Sequence, residues 1–325
     1  MMDIEKLKND LLKGRRRALA KAITLTESKN REHKKQAKAL LEAILPHSGN
    51  SIRIGISGVP GVGKSTFIEA FGMFLIGLGH KVAVLAIDPS SHITGGSILG
   101  DKTRMETLSR QENAFIRPSP SGDSLGGVAR KTRESIFLCE ANGYDVIIVE
   151  TVGVGQSEVT VSSMVDFFVL MQLSNAGDEL QGIKRGIMEV ANAVVINKAD
   201  GDNYRKAALA KRQLENAIHI LKPIENGWIP PVLLASAKEK TGIKELWNVV
   251  ENYVNMQKSN GFFEAKRKNQ AKNWMWSVVM DGIKDMLNND EEISSIAKEM
   301  EYAVENSITT PSFAAEKILN AFKRC

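Results

Sequence analysis

The sequence has little cysteine, with Cys139 and Cys325 as its only two among 325 residues. Two thiols so far apart form neither a disulfide framework nor a Cys-x-x-Cys metal pair, which predicts a reducing, cytoplasmic environment. The chain also lacks any run of the ~18 apolar residues that a membrane-spanning helix requires. Its first residues mix acids with bases and contain no apolar stretch, so we expect no secretory signal and no membrane partner.

The charges are nearly balanced, with a net charge of +5, and 43% of the residues are hydrophobic. This composition predicts a folded chain rather than a disordered one, and the length allows one large domain with added elements or two domains. The basic run at residues 14–17, GRRR, would be compatible with nucleic-acid binding. No aromatic residue interleaves with it, so a solvated helix face is favoured and we expect no nucleic-acid partner.

The hydrophobic pattern changes twice along the chain. Residues 1–45 have a helical spacing that predicts two helices, split near residues 26–30, and the chain after residue 242 also predicts helices. Between these regions, short apolar runs alternate with helical stretches. The runs, which predict buried strands, occupy residues 51–57, 81–87, 145–149, 166–171, 193–196 and 232–235.

Strands that alternate with helices predict an α/β fold, in which a mostly parallel sheet is covered by helices on both faces. We expect this domain to span residues 51–258. An N-terminal helical extension would occupy residues 1–50, and a C-terminal helical arm would occupy residues 259–325.

A glycine-rich turn follows the first predicted strand. Residues 58–65 are GVPGVGKS, which matches the phosphate-loop pattern G-x-x-x-x-G-K-[ST] between a strand and a helix. The glycines let backbone N–H groups wrap phosphates, Lys64 supplies a positive charge, and the Ser65 hydroxyl is suited to Mg²⁺. The predicted phosphate contacts are Gly58, Gly61, Val62, Gly63, Lys64, Ser65 and Thr66.

Two short motifs after later strands predict guanine rather than adenine. Residues 197–200 are NKAD, in which Asp200 can accept hydrogen bonds from N1–H and the 2-amino group of guanine. Adenine has neither donor and would leave the carboxylate unpaired, at a cost of about 1–3 kcal/mol. Lys198 would cover the base and Asn197 would brace the phosphate loop. A backbone N–H among Ser236, Ala237 and Lys238 would donate to guanine O6.

Acidic residues near the ends of other strands predict a Mg²⁺ site and nucleotide-sensing loops. Glu150 begins an E-x-x-G motif that ends at Gly153, whose N–H would contact the γ-phosphate. Asp88 and Asp101 are further carboxylate candidates, with a helix cap as the alternative for each. The predicted metal ligands are therefore Ser65, Asp88, Asp101 and Glu150.

The sequence assigns the groups that act on the phosphates more clearly than the residue that positions the attacking water. Lys64, Glu150 and Gly153 are the predicted catalytic set. Many GTPases have a glutamine directly after the motif's glycine, but here Val154 stands at that position. We therefore expect slow basal GTP hydrolysis that a partner protein accelerates.

Several longer runs resemble the MeaB/ArgK family, which includes the methylmalonic aciduria type A protein. They are ETVGVGQSE at residues 150–158, DPSS at 88–91, GGSILGDKTRM at 95–105, GDELQGIKRGIME at 177–189 and GRRRALAKAITLTES at 14–28. The resemblance covers nearly the whole chain and is weakest after residue 262.

This resemblance implies a P-loop GTPase of the SIMIBI class that uses GTP and Mg²⁺. Its members are chaperones that gate adenosylcobalamin loading and protect an acyl-CoA mutase, chiefly methylmalonyl-CoA mutase. It also implies a homodimer formed through the C-terminal arm, and a cobalamin adenosyltransferase is a further possible partner. By the same resemblance, Asp178, Gln181 and Lys184 belong to a switch that meets the mutase.

Other functions remain open at the level of sequence. A nickel metallochaperone GTPase shares the class and the phosphate loop, but the chain has no His-rich or Cys-x-x-Cys stretch. The family is also often labelled as a lysine/arginine/ornithine (LAO/AO) transport ATPase or kinase, which the guanine motif argues against. Around Trp274 and Trp276, apolar residues occupy more than one helix face, which suits either a subunit interface or a core.

Overall fold

The computed structural model describes residues 3–87, 105–118, 125–151, 157–174, 185–220 and 227–322. Six of the predicted site residues lie outside the described residues, namely Asp88, Asp101, Gly153, Asp178, Gln181 and Lys184. The chain forms two compact units, Met1–Lys266 and Arg267–Cys325. None of the helices in the described parts is long and apolar enough to span a membrane.

The first unit contains a seven-stranded sheet in which every neighbouring pair is parallel. Its strands are β1 Ile52–Gly58, β2 Val82–Ile87, β3 Ala114–Arg117, β4 Val146–Thr151, β5 Phe167–Leu173, β6 Ala193–Asn197 and β7 Val232–Leu234. Their order across the sheet is β3-β2-β4-β1-β5-β6-β7. The strand before the phosphate loop is therefore central, and β4 and β5 lie on either side of it, so that their carboxyl ends lie next to that loop.

Helices precede the sheet and alternate with its strands. In the first unit they are α1 Ile4–Leu12, α2 Arg16–Glu27, α3 Arg31–Ile44, α4 Lys64–Gly77, α5 Glu106–Ser109, α6 Leu125–Ala141, α7 Ser157–Ser162, α8 Arg185–Val190, α9 Asn203–Ile220 and α10 Ile243–Ser259. Helix α11, Phe262–Asn289, begins in the first unit and continues into the second, which also holds α12 Glu291–Glu305 and α13 Pro311–Phe322.

Each face of the sheet carries its own hydrophobic core. Side chains alternate along the strands, so Ile54 and Ile56 of β1 pack with α4, α5 and α10, whereas Phe168 and Leu170 of β5 face the other layer. The second layer contains α6, α7, α8 and α9, with the three N-terminal helices packed around α6. Burial on both faces explains why the strands are continuous apolar runs, and the predicted α/β fold is confirmed.

A buried carboxylate ties the segment before β1 to α6. Both oxygens of Glu140 accept hydrogen bonds from the Arg53 guanidinium, at 2.8 and 3.0 Å. They also accept the Gly49 N–H at 2.8 Å and the Ser51 hydroxyl at 2.6 Å. Because four donors converge on it, the hydrogen-bonding capacity of this buried carboxylate is satisfied, and Glu140 fixes the entry of the chain into the sheet.

The structure corrects two details of the predicted elements. The N-terminal region has three helices rather than two, because Gly14 adopts a left-handed φ of 73° that separates α1 from α2. The hydrophobic pattern does not predict strand β3. This strand has four residues, and only pairing with β2 distinguishes the short apolar run from a loop.

Candidate nucleotide site

The phosphate loop leaves the carboxyl end of β1 and enters α4 at Gly63. Gly63 caps α4 with a left-handed φ of 89°, and Gly61 has a φ of 80°, so both positions favour glycine. A Cβ on Gly58 would lie 2.5 Å from the Met171 carbonyl oxygen of β5. The glycine spacing of the motif therefore reflects real steric limits, and the loop presents its backbone at the start of a helix, where anions bind.

Lys64 is buried at the start of α4, with 9% of its surface exposed. Its ammonium group donates to the carbonyl oxygens of Gly58, at 2.7 Å, and Val59, at 3.3 Å. Burial lowers the pKa of Lys64, and the nearby carboxylates Glu150 and Glu158 partly oppose this shift. Lys64 thus places a positive charge inside the curve of the loop.

Ser65 and Glu150 bring a hydroxyl and a carboxylate together beside that charge. The Ser65 hydroxyl donates to Oε1 of Glu150 at 3.3 Å. Glu150 lies at the end of β4, adjacent to β1, and is 3% exposed. An oxygen pair of this kind is the ligand chemistry that Mg²⁺ prefers. Thr66, the next residue on α4, is exposed.

Asn197 and Lys198 connect the loop after β6 to the phosphate loop. The Asn197 amide donates to the Val62 carbonyl oxygen at 2.8 Å, and its Oδ1 accepts the Ala237 N–H at 3.3 Å. The Lys198 ammonium group donates to the Gly61 carbonyl oxygen at 2.7 Å. The structure therefore brings the NKAD motif against the phosphate loop, as the bracing role requires.

Asp200 and Ser236 lie together at the end of the sheet that carries β6 and β7. The Ser236 hydroxyl donates to Oδ2 of Asp200 and accepts the Glu239 N–H at 3.1 Å. The backbone N–H of Ser236 donates to the Thr241 carbonyl oxygen at 3.1 Å. Ser236 therefore fixes the Asp200 carboxylate. The N–H of Ser236 is bonded to Thr241 and that of Ala237 to Asn197, so of the three predicted donors the backbone N–H of the exposed Lys238 is the one suited to a guanine O6.

Glu158 is a member of this cluster that none of the sequence motifs predicts. It lies in the first turn of α7 and is 1% exposed, and its charge acts on Lys64. Helix α7 approaches β1 closely, since a Cβ on Gly55 would lie 2.8 Å from Val161. The only sequence signal is its position at the end of the ETVGVGQSE run, because the proximity depends on how α7 packs.

The described part of the site is an arrangement of backbone donors, one buried ammonium group and two buried carboxylates. The described residues contain no group of three or more His, Cys, Asp or Glu side chains placed to hold a metal ion. The two further predicted metal ligands, Asp88 and Asp101, lie outside the described residues, as do Gly153, Asp178, Gln181 and Lys184. Their roles stay predictions.

Comparison with known proteins agrees with this geometry. Residues 19–292 match the family model described as methylmalonyl Co-A mutase-associated GTPase MeaB. A probable GTPase of Mycobacterium tuberculosis is 53% identical over 306 residues, which cover 94% of this chain and 91% of the relative. The GTPase ArgK of Escherichia coli is 48% identical over 301 residues, with coverages of 93% and 91%.

Two further similarities extend over most of the chain. The mitochondrial methylmalonic aciduria type A homolog of Mus musculus is 44% identical over 330 residues, which cover 98% of this chain and 80% of that protein. A crystal structure of an LAO/AO transport system kinase is 39% identical, has a TM-score of 0.81 and covers 99% of both chains.

Proposed function

Because this chain belongs to the MeaB family of methylmalonyl Co-A mutase-associated GTPases, we propose that it is a GTP-hydrolysing chaperone of an adenosylcobalamin-dependent acyl-CoA mutase. It gates cofactor loading and protects the mutase from inactivation. The mutase part of the proposal is supported by the family, and the observation that carries the GTPase part is the hydrogen bond from Asn197 of the NKAD motif to Val62 of the phosphate loop. Family membership supports GTPase activity and guanine-nucleotide binding.

The contacts within the site support a division of labour among its residues. The loop backbone and Lys64 bind the phosphates, because both supply positive charge beside a helix start. Asp200 binds the guanine edge, and Ser236 holds that carboxylate in place. Lys198 covers the base while it braces Gly61. The site as a whole favours guanosine triphosphate over an adenine nucleotide, because only guanine offers Asp200 its donors.

The oxygen ligands at the end of β4 fit a Mg²⁺ ion. Ser65 and Glu150 already hold their oxygens together at 3.3 Å, and Asp88 and Asp101 are the further proposed ligands. When bound, Mg²⁺ neutralises charge on the β- and γ-phosphates. Lys64 stabilises the same charge from the phosphate loop. The Gly153 N–H donates a hydrogen bond to the γ-phosphate, and loss of this bond on hydrolysis changes the segment around Gly153.

Control by a partner completes the proposal. The sequence places no glutamine directly after Gly153, so basal hydrolysis is slow and the mutase accelerates it. Asp178, Gln181 and Lys184 form the switch that contacts the mutase. The mutase must bind the GTP-bound and GDP-bound states with different affinities, since otherwise GTP hydrolysis could not alter the mutase complex. The protein acts as a homodimer, and a cobalamin adenosyltransferase is a further candidate partner.

The decisive experiment measures phosphate release from GTP by the full-length chain, with and without a purified adenosylcobalamin-dependent mutase. We expect the mutase to raise the rate at least tenfold. The variant Lys184→Ala should keep the basal rate and lose the stimulation, whereas Lys38→Ala, an exposed residue of α3, should keep both. An unchanged rate with every cobalamin-dependent acyl-CoA mutase tested would refute the chaperone role while leaving the GTPase intact.

A second candidate follows from the similarity to the crystal structure of an LAO/AO transport system kinase. In that role the chain would transfer phosphate to a transport protein, with ATP as donor. Competition binding distinguishes the two roles, because a kinase of this type would bind ATP more tightly than GTP. Tighter ATP binding together with phosphate transfer to protein would favour the kinase.

A further inference from the structure

A cavity of about 600 Å³ lies between α1 and the start of α2. This volume falls within the range typical of small-molecule sites. Of its nine lining residues, five are cationic and two are acidic. The cationic residues are Lys6, Arg15, Arg16, Arg17 and Lys21.

The two acids offset only part of this charge, since five cationic side chains face two acidic ones. Asp3 caps α1 by accepting the Lys6 backbone N–H at 3.0 Å, so its contact is to the main chain. Asp10 accepts a hydrogen bond from the Arg15 guanidinium at 2.7 Å and compensates that one cation. The side chains of Lys6, Arg17 and Lys21 make no hydrogen bond or ion pair with other residues that the structure describes.

The backbone adds to the positive potential of this cavity. Helix α2 begins at Arg16 without a side-chain cap and without an acidic residue in its first turn. The amino end of a helix carries a partial positive charge and therefore favours anions. Three arginines at this end add further positive charge that an anion would neutralise. Like charges gathered in a concave surface are stabilised by a multiply charged anion, most strongly through charge-assisted hydrogen bonds.

We propose that this cavity binds the phosphate groups of a small organic phosphate that carries at least two of them. Arginine is suited to this ligand because its planar guanidinium group can donate two parallel hydrogen bonds to phosphate oxygens. A nucleic acid fits the cavity less well. Its lining contains no aromatic side chain on which a base could stack.

The site is separate from the nucleotide site and so goes beyond the proposed function. The Arg16 guanidinium donates to the carbonyl oxygens of Ser109 and Gln111, at 3.4 Å each, just before β3 begins. The cavity therefore lies at the amino edge of the sheet, whereas the phosphate loop follows the carboxyl end of β1. The seven residues of β1 make six steps of about 3.3 Å, so the two edges lie roughly 20 Å apart.

A smaller cavity of about 240 Å³ shares Arg16 and offers contacts for the organic part of the ligand. Asn113 and Tyr144 line it and can hydrogen-bond to hydroxyl or base atoms. Burial raises the pKa of Tyr144 to about 12, with Arg16 opposing the shift, so its hydroxyl stays protonated at neutral pH. The two cavities together would hold a charged group and an uncharged polar group on opposite sides of Arg16.

The test is a calorimetric titration in which inorganic pyrophosphate is added to the full-length chain, which has first been saturated with GDP. Saturation with GDP keeps the probe away from the phosphate loop. We expect one pyrophosphate per chain and at least tenfold weaker binding by Arg17→Gln/Lys21→Gln. The matched control Lys34→Gln/Lys38→Gln removes the same charge from the exposed surface of α3 and should bind like the wild type.

Three results would overturn the proposal. One is the absence of binding heat at millimolar pyrophosphate. Another is an equal loss of pyrophosphate affinity in both double variants, because this would show only a general attraction of the anion to a basic surface. The third is tighter binding of a single-stranded oligonucleotide than of pyrophosphate through Arg17 and Lys21. Thermal melting of each variant verifies that the fold is retained.

Discussion

At the scale of single residues, the proposed choice of purine depends on the Asp200 carboxylate, which the Ser236 hydroxyl contacts. In Asp200→Asn, an amide donor would face the donors of guanine, at a cost of about 1–3 kcal/mol. We expect GTP affinity to fall by roughly 10- to 100-fold and the preference for GTP over ATP to shrink. Competition with a fluorescent GTP analogue measures both. Asp202→Asn, exposed in the same loop, is the control, and an unchanged GTP-to-ATP ratio in Asp200→Asn would contradict the assignment.

Because the ammonium group of Lys64 is buried, the free energy of unfolding should vary with pH in the alkaline range. Burial lowers its pKa below 10.5, so the folded chain holds this proton less tightly than the unfolded chain. As the pH rises from below the folded pKa towards 10.5, the free energy of unfolding should therefore rise relative to Lys64→Met, which cannot titrate. Urea unfolding of both proteins at several pH values measures this difference. A difference that stays flat or falls would be inconsistent with a lowered pKa.

Residues close together in sequence could be predicted as site members, while those joined only by packing could not. Lys64, Ser65 and Asp200 lie in motifs whose spacing is set by local backbone geometry. Glu158 reaches Lys64 because α7 rests on Gly55, and that contact joins elements that are far apart in the sequence. A single sequence contains no signal for such a distance.

At the scale of elements, Glu140 fixes the entry to β1 against α6. Glu140→Gln removes the charge that Arg53 pairs with and replaces two acceptor oxygens by one. We expect the free energy of unfolding to fall by about 3 kcal/mol, as for other buried ion pairs that lose one partner. Chemical denaturation measures the loss.

A matched substitution separates this effect from simple loss of charge. Glu215→Gln breaks the partly exposed pair between Lys211 and Glu215 within α9, whose charged groups lie 3.7 Å apart. Exposed pairs of this kind contribute less than about 1 kcal/mol. Equal losses in the two variants would show that Glu140 does not stabilise the junction.

Helices and strands can be predicted from the sequence where hydrophobic runs are long. They cannot be predicted where pairing with a neighbouring strand determines whether a short run forms a strand. Six strands of the sheet follow from apolar runs that are buried on both faces. Strand β3 has four residues and becomes a strand through its register with β2, in which Val82 lies opposite Ala114. The break between α1 and α2 depends on the φ of Gly14, and glycine alone does not reveal whether a helix ends or continues.

At the scale of the whole molecule, apolar residues on α11 favour the predicted homodimer. Trp276 and Met280 are one helical turn apart and are 55% and 63% exposed in the single chain. We expect Trp276→Glu/Met280→Glu to convert a dimer into a monomer with GTP binding retained, as measured by sedimentation velocity. Leu209→Glu on α9, at a residue 59% exposed, should remain dimeric. A dimer that survives the double substitution would place the subunit contact elsewhere.

The single Asn197 side chain bonds the phosphate loop at Val62 and the loop of Ala237 at once. One amide thus joins the two loops to which the proposed function assigns the two ends of a nucleotide. We therefore expect the two ends not to be recognised independently, because ordering one loop lowers the entropic cost of ordering the other. We expect a nucleoside and a polyphosphate, offered as separate molecules, each to bind weakly. The sum of their two binding free energies should be less favourable than the binding free energy of the intact nucleotide. The pocket would therefore select molecules that carry both parts.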